Sequence, residues 1–282
     1  IWLSLRPGTD GAMAMGWLNI IVNNNLYDEL FAKRWTNGPF LVCNDIEPSG
    51  YEAFRFTSGT FELKTRLLKQ SDVQEGGDPH KFLVWDNLNN RMTYFDADSG
   101  LWEGETWTPP TKGHEGMQEH LVDGVSQGWV PDPSPFNPEI DPALTGEFQV
   151  TLKDGTVSTV KPVWEYFVER VNEYPVERVS EITGVSADLI EKACLTHATR
   201  IDPSTGYGNG GIQYQLAIEH SCNAIAMVRA MDSYIGLTGN WDTPGGHRGG
   251  TQGEFVFKAG LGAVAPGIPN ISAAVSYTHL TL

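Results

Sequence analysis

The stretch Gly206–Gly250, GYGNGGIQYQLAIEHSCNAIAMVRAMDSYIGLTGNWDTPGGHRGG, decides how the chain is read. Glycines come first, then a long apolar-periodic run, then a second loop rich in glycine and proline. That order suits a phosphate-bearing ligand, because glycine lets backbone N–H groups approach oxygens and a helix start favours negative charge. It specifies a ligand class and no reaction. Gly206, Gly208 and Gly211 spell G-x-G-x-x-G, the spacing of nicotinamide-binding turns. Two features speak against that cofactor. Thr196–Thr205 is not an apolar strand, and the next suitably spaced acid, Asp232, falls inside the following helical run instead of ending a second strand. The stretch reads better as a glycine-thinned strand, Tyr207–Ile212, with Gln213 at its carboxyl end facing a ligand that needs backbone clearance. The helix after it is expected to share Ala217, Ala224, Ile225, Val228, Met231 and Ile235 on one face, and Leu237-Thr238-Gly239-Asn240 stops it. His220 and Cys222 lie two apart and cannot face each other on a helix, which argues against a thiol nucleophile.

Upstream, Ile1–Leu5 reads as a strand, Arg6–Asp10 as a tight turn, and Gly11–Val22 as a buried helix with Thr9 or Asp10 as its N-cap. In an α/β sheet such a loop sits at the carboxyl end of a strand, where ligands bind. The same pattern also fits an ordinary capped βα turn. Asp28 is expected to cap a second helix in which Leu30, Phe31, Arg34 and Trp35 share a face, closed by Asn37-Gly38-Pro39. From Phe40 to about Pro162 the texture changes to short strands and polar loops. Asn89-Asn90 joins one hairpin and Asp154-Gly155 a stronger one. Between them Trp102–Asp141 shows no period and reads as a surface insertion or lid; His114 and His120 within it read as solvated. Pro162–Arg200 returns to helix: Val163–Asn172, then Val176–Thr183 ended by Gly184, then a helix capped by Ser186 and running through His197. Leu189, Ile190, Ala193 and His197 face a core there, with His197 as a capping or dipole partner at the helix end.

The chain has 282 residues and a formal net charge of −16, which argues against nucleic acid or anionic lipid as partner, since both need clustered Lys and Arg. Cys43, Cys194 and Cys222 are too far apart for a zinc or iron–sulfur site, so no metal ligand is expected within the chain. No apolar run approaches membrane-spanning length.

Four pieces, in order, resemble the molybdenum or tungsten bis-pyranopterin guanine dinucleotide oxidoreductases of the dimethyl sulfoxide reductase family. They are Arg6-Pro-Gly-Thr-Asp-Gly-Ala-Met-Ala with Leu26-Tyr-Asp; Glu173–Val185, EYPVERVSEITGV; the run Gly208–Gln213; and Leu237-Thr-Gly-Asn-x-x-x-Pro-Gly-Gly. The Lys81–Asp86 hairpin and Pro142-Ala-Leu-Thr-Gly-Glu-Phe further resemble the acetylene hydratase branch. The resemblance implies that Gly8, Thr9 and Asp10 hold one guanosine end of the cofactor, and that Asn209, Gly210, Gly211 and Gln213 approach the other pterin. A carboxylate suits the guanine N–H groups, and helix starts with backbone amides meet pyrophosphate without requiring a basic protein. It implies two incomplete layered αβα, dinucleotide-binding-like units. The first spans 1–200 with a β- and loop-rich insertion at about 40–162; the second spans 201–282, of which 276–282 match nothing in the family.

The family's cysteine motif for a 4Fe-4S cluster, the segment with the protein ligand to the metal, and the carboxyl-terminal domain have no counterpart here. The chain is therefore expected to be the middle of a catalytic subunit and inactive by itself. A small-molecule substrate and an iron–sulfur electron-transfer subunit are the implied partners. Two rival readings remain: a cofactor-free partner or scaffold subunit of the same fold, and a nicotinamide dehydrogenase resting on the glycine spacing alone.

Overall fold

The computed structural model describes residues 1–48, 65–105, 117–122, 125–131, 139–199, 210–213, 218, 221–240 and 246–247, the side chains of 117–122 and 125–131 excepted. Apolar residues at helical spacing gather at the two ends of the chain, and residues at strand spacing lie between them. The helices are α1 (Asp10–Asn23), α2 (Glu29–Trp35), the short α3 (Gln70–Val73), α4 (Val163–Val171), α5 (Val176–Thr183), α6 (Ala187–Ala198) and α7 (Ala224–Leu237). The strands are β1 (Leu41–Cys43), β2 (Lys81–Asp86), β3 (Arg91–Asp96), β4 (Leu101–Trp102), β5 (Met117–Val122), β6 (Val125–Pro131), β7 (Phe148–Thr151) and β8 (Val157–Pro162). They form three antiparallel sheets, ordered β1-β8-β7, β2-β3-β4 and β5-β6. Among the described residues no strands pair in parallel.

Helix α1 is the axis of the helical body. It is apolar nearly all round and buries Met13, Ala14, Gly16, Leu18, Ile20, Ile21 and Val22, as a helix enclosed by others must. Helix α7 runs parallel beside it. A Cβ on Gly11 would lie 3.1 Å from Met227 Cγ, the Trp17 and Tyr234 rings meet at 5.2 Å, and Asp28 N–H donates to the Leu237 carbonyl at 2.6 Å. Helices α5 and α6 cover another face of α1, at Gly16 against Val179 and at the Cys194 thiol donating to the Trp17 carbonyl at 3.6 Å. A second core, Leu41, Cys43, Ile46, Leu68, Leu83, Val150 and Val160, lies among the strands. The two bodies are joined by Arg34 of α2, whose guanidinium meets Glu105 at 2.9 Å with both side chains nearly enclosed.

Both hairpins form as the sequence predicts, with Asn90 and Gly155 at positive φ in their turns. Asp28 caps α2, accepting from Phe31 N–H at 2.9 Å. Elsewhere the structure departs from the sequence reading. Among the described residues Ile1–Leu5 has no strand partner. Leu3 and Leu5 pack on the helical core while Trp2 and Ser4 face solvent, a strand's alternation over 2–5 without a ladder, and Ile1 is exposed as well. Trp102–Asp141 is not without regular structure: it carries β5 and β6, which meet at Val122↔Val125. The Asp123-Gly124 dipeptide between them is a hairpin signal that the turn-rich composition hid. The side chains of His114 and His120 lie outside the described residues. Gly210–Gln213 is not in a strand, and 207–209 lie outside the described residues. Helix α7 starts at Ala224, after a turn at Ser221–Asn223, and buries Met227, Ala230, Met231, Tyr234 and Ile235; Ile225, expected inside, is exposed.

Candidate functional site

The first predicted loop is built by a turn and two helix ends. Pro7 and Gly8, the latter at φ +79, occupy the two central positions of a turn closed by Thr9 N–H donating to the Arg6 carbonyl at 3.2 Å. That is the residue order of a type II turn, whose third position needs positive φ. A Cβ on Gly8 would meet nothing within 4 Å, so the backbone angle and not crowding selects glycine. The Thr9 hydroxyl does not cap α1; it donates back to the Arg6 carbonyl at 2.7 Å. Asp10 is the first residue of α1, half-exposed, and among the described residues its carboxylate has no side-chain partner. It therefore stands at the positive end of the helix dipole with its lone pairs open.

Arg6 fixes this loop from outside. Its backbone N–H donates to the Thr183 carbonyl at 2.9 Å, and its guanidinium donates to the carbonyls of Glu181 at 2.7 Å and Ile182 at 3.2 Å. Those are the unpaired carbonyls at the end of α5, where a cation is favoured. Gly184 follows at φ +79, and a Cβ there would lie 3.2 Å from Arg6 Nε.

The second loop is held from two sides. Gly210 has φ +136, and a Cβ on it would sit 3.8 Å from His197 Nε2. A Cβ on Gly211 would lie 2.9 Å from the Cα of His247 and 3.0 Å from its Cβ. His247 thus gives Gly211 a packing reason for being glycine. Gln213 is exposed, and Asn209 lies outside the described residues. Among the described residues no contact joins the two loops. Gly210 and Gly211 lie at the level of Tyr234, about 10 Å along α7 from Met227 at 1.5 Å per residue.

His247 reaches the loop through the stop of α7. Gly239, at φ +69, donates its N–H to the Gly236 carbonyl at 2.9 Å, and Asn240 N–H donates to the Ile235 carbonyl at 3.0 Å. That pair of bonds is a Schellman stop. The Asn240 amide donates to the Thr238 hydroxyl at 2.7 Å, and the Asn240 carbonyl accepts from His247 N–H at 2.7 Å. His247, tied back to the helix stop, therefore stands as a wall against Gly211. His247 Nε2 also stands 4.0 Å from Asp232, whose carboxyl is pushed above its ordinary value by burial, with His247 opposing.

Beneath the second loop lies a group that the sequence did not single out as a unit: Trp17, Cys194, His197 and Tyr234. The Tyr234 hydroxyl is 2.9 Å from His197 Nδ1, and both rings pack against Trp17, His197 tilted and Tyr234 edge-on. His197 is therefore not a helix cap but a core residue between two helices. Burial lowers its pKa, a hydrogen bond to the Gly211 backbone opposing. Burial also pushes the Cys194 thiol up to about 12 and the Tyr234 hydroxyl above its ordinary range, so neither ionises near neutrality. No local motif marks such a cluster, because its members come from three helices. An apolar cleft of about 420 Å³, lined by Phe31, Trp35, Trp164, Phe167 and Asp232 among others, opens at the far end of α7 from Asp10.

What the two loops offer a ligand is open backbone and an acceptor, not a cation. The open space at Gly8, the unpartnered Asp10 carboxylate, and the start of α7 beside that of α1 fit a neutral base edge and an adjacent phosphate. Gly211 fits less directly, since His247 already fills the space that a Cβ would take.

No family model matches the chain. Dopamine dehydroxylase of Eggerthella lenta is 51% identical over 292 aligned residues, covering 94% of this chain and 28% of that protein. The perchlorate reductase alpha subunit of Dechloromonas aromatica is 29% identical over 94% of this chain and 25% of its own length. The chain thus spans about a quarter of the length of these two relatives. Among solved structures, acetylene hydratase from Pelobacter acetylenicus covers 88% of this chain and 16% of its own, at a TM-score of 0.38 and 17% identity. Matched along almost all its length by such enzymes, with the four sequence pieces standing as described, the chain belongs to the dimethyl sulfoxide reductase family of molybdopterin oxidoreductases.

Proposed function

We propose that this chain is the part of a catalytic subunit that grips a molybdenum or tungsten bis-pyranopterin guanine dinucleotide. Gly8, Thr9 and Asp10 take one guanosine end, while Asn209, Gly210, Gly211 and Gln213 line the approach to the other pterin. The observation that carries this reading is the open Asp10 carboxylate at the head of α1, in a loop pinned by Arg6, within a chain 51% identical to dopamine dehydroxylase of Eggerthella lenta. The metal and its dithiolenes supply the redox chemistry when bound. The chain's own residues hold and orient: Asp10 accepts from the guanine N–H groups, the first N–H groups of α1 face a phosphate, and the glycines let backbone approach.

The layered αβα, dinucleotide-binding-like arrangement of 1–200 and 201–282, a 4Fe-4S cluster outside these residues and an iron–sulfur electron-transfer subunit as partner belong to the same reading. The relative's name makes removal of a phenolic hydroxyl the first reaction to assay. In that reaction two electrons and two protons enter, a ring C–O bond breaks, a C–H bond forms, and water leaves. The deciding experiment is metal analysis of the full-length protein, with guanine released by acid. Molybdenum or tungsten with guanine is expected; absence of all three would overturn the assignment, and a cofactor-free subunit would take its place.

A further inference from the structure

We propose that the aromatic cleft between α2, α4 and α7 is a binding site for a small organic cation, with the Asp232 carboxylate meeting the charge and the rings of Trp35, Trp164 and Phe167 covering the apolar body. The inference stands apart from the cofactor reading, since the cleft lies at the far end of α7 from Asp10.

Three helices build the cleft, each by its own spacing. Helix α2 carries Phe31 and Trp35 at i, i+4, and α4 carries Trp164 and Phe167 at i, i+3, so each presents two rings on one face. Helix α7 comes in through Gly236, where a Cβ would lie 2.9 Å from Phe31 Cε1. Asp232 is one turn earlier on the same face of α7, which brings it to the cleft wall. Trp164 is buried and packs on Phe167 at 5.2 Å, so that wall is fixed, while Trp35 is 58% exposed and forms the open side. The space of about 420 Å³ equals about fourteen waters at about 30 Å³ each, within the range of small-molecule sites.

Among the described residues the scaffold gives the Asp232 carboxylate no partner. Its Oδ1 is enclosed without a hydrogen bond, and His247 Nε2, at 4.0 Å, is too far away to donate one. The side chain keeps 34% of its surface open, so the carboxylate can be reached from solvent. The cations of α2 are committed elsewhere: Lys33 to Glu29 at 2.7 Å and Asp141 at 2.6 Å, Arg34 to Glu105 at 2.9 Å. Arg34 also lies 5.6 Å from the Trp35 ring centre, its charge offset by Glu105. A partly buried carboxylate without a partner is costly, and aromatic faces attract cations. An organic ammonium satisfies both walls at once. A neutral apolar guest would leave the carboxylate as it is, and an anion would meet a like charge.

The test is calorimetric titration of the full-length protein at neutral pH with naphthylmethylammonium and, in parallel, with the uncharged naphthylmethanol. The ammonium is expected to bind saturably and at least about tenfold more tightly than the alcohol, the worth of one charge-assisted hydrogen bond. That comparison needs no variant. Asp232→Asn keeps the shape and removes the charge, and is expected to erase the difference while leaving alcohol binding unchanged. Trp35→Ala is expected to weaken both. Absence of saturable ammonium binding would overturn the proposal, as would an alcohol that binds as tightly as the ammonium. Ammonium binding unmoved by Asp232→Asn, or binding of both probes unmoved by Trp35→Ala, would also overturn it, by placing the site elsewhere.

Discussion

The contact that holds the candidate site in place can be tested at Gly16, six residues into α1 from Asp10. In an open helix Gly→Ala stabilises by about 1 kcal/mol, because alanine loses less backbone entropy. Here a Cβ would lie 2.8, 3.1 and 3.2 Å from Cγ2, Cγ1 and Cβ of Val179, a fully buried residue of α5. Carbon contacts are optimal near 3.5–4.0 Å, and a β-branched side chain in a helix has essentially one rotamer to offer. Overpacking of this kind costs about 1–3 kcal/mol, and three short contacts on one rigid neighbour place it at the upper end. Gly16→Ala should therefore destabilise the α1–α5 contact by about 2 kcal/mol net. Hydrogen exchange across α1 in the full-length protein should accelerate roughly 30-fold, taking 1.36 kcal/mol per decade. Val179→Ala alone should cost a similar amount by leaving a void, at about 0.8 kcal/mol per methyl plus the cavity. The double variant refills that void with the new methyl, so its loss should fall well short of the sum, with a coupling of about 2 kcal/mol. A stabilised Gly16→Ala protein, or strict additivity in the pair, would show that α1 and α5 do not meet there.

Three further outcomes follow from the same geometry. Asp10→Ala in the full-length enzyme should weaken cofactor retention by one or two charge-assisted hydrogen bonds, about 1.5–3 kcal/mol each, seen as roughly 10- to 150-fold faster guanine loss for a single bond on dilution. Arg6→Ala should expose the carbonyls of Glu181 and Ile182, leave the backbone bond to Thr183 in place, and loosen the last turn of α5 by about 1–2 kcal/mol, measured as faster exchange at Val179–Gly184, with Lys at the position restoring part of it. His197 is held below its ordinary value of 6.5 by burial, so the unfolded chain binds its proton first; its contribution to stability is full above about pH 6.5 and is lost as pH falls through the lowered folded value, and a melting series against pH should lose that slope in His197→Gln.

Local structure was legible wherever a local cause sets it. Asp28 caps α2, Gly184 ends α5 and Gly155 turns the β7–β8 hairpin, because each needs only its own neighbours. Ile1–Leu5 and Gly210–Gln213 were misread for one reason: strand pairing is a property of a partner, and an apolar or glycine-rich run carries no statement about who pairs with it. The face of α7 was misassigned because its start was. Placing the helix start near Ala217 carried the expected stripe past Ile225, whereas the break at Ser221–Asn223 lets the helix turn Met227 and Tyr234 inward.

The four family pieces were legible for a different reason, and the contacts say what it is. Arg6-Pro-Gly-Thr-Asp is fastened to Ile182-Thr183-Gly184 by Arg6, and Leu26-Tyr27-Asp28 to the end of α7 by the Asp28 N–H. Gly211 is fitted to the His247 that follows Pro244-Gly245-Gly246, and Asn240 ties that return to the helix stop. Every piece touches another, and most of the named residues act as joints: turns, stops and close approaches that tolerate few alternatives. Joints of this kind are required by the scaffold whatever the reaction. They mark the scaffold, while Asp10, whose carboxylate has no side-chain partner among the described residues, and the exposed Gln213 are the side chains proposed to meet a ligand. The chemistry that distinguishes one relative from another must then come from residues outside these joints, which is why the sequence pieces named a scaffold and a cofactor class sooner than a substrate.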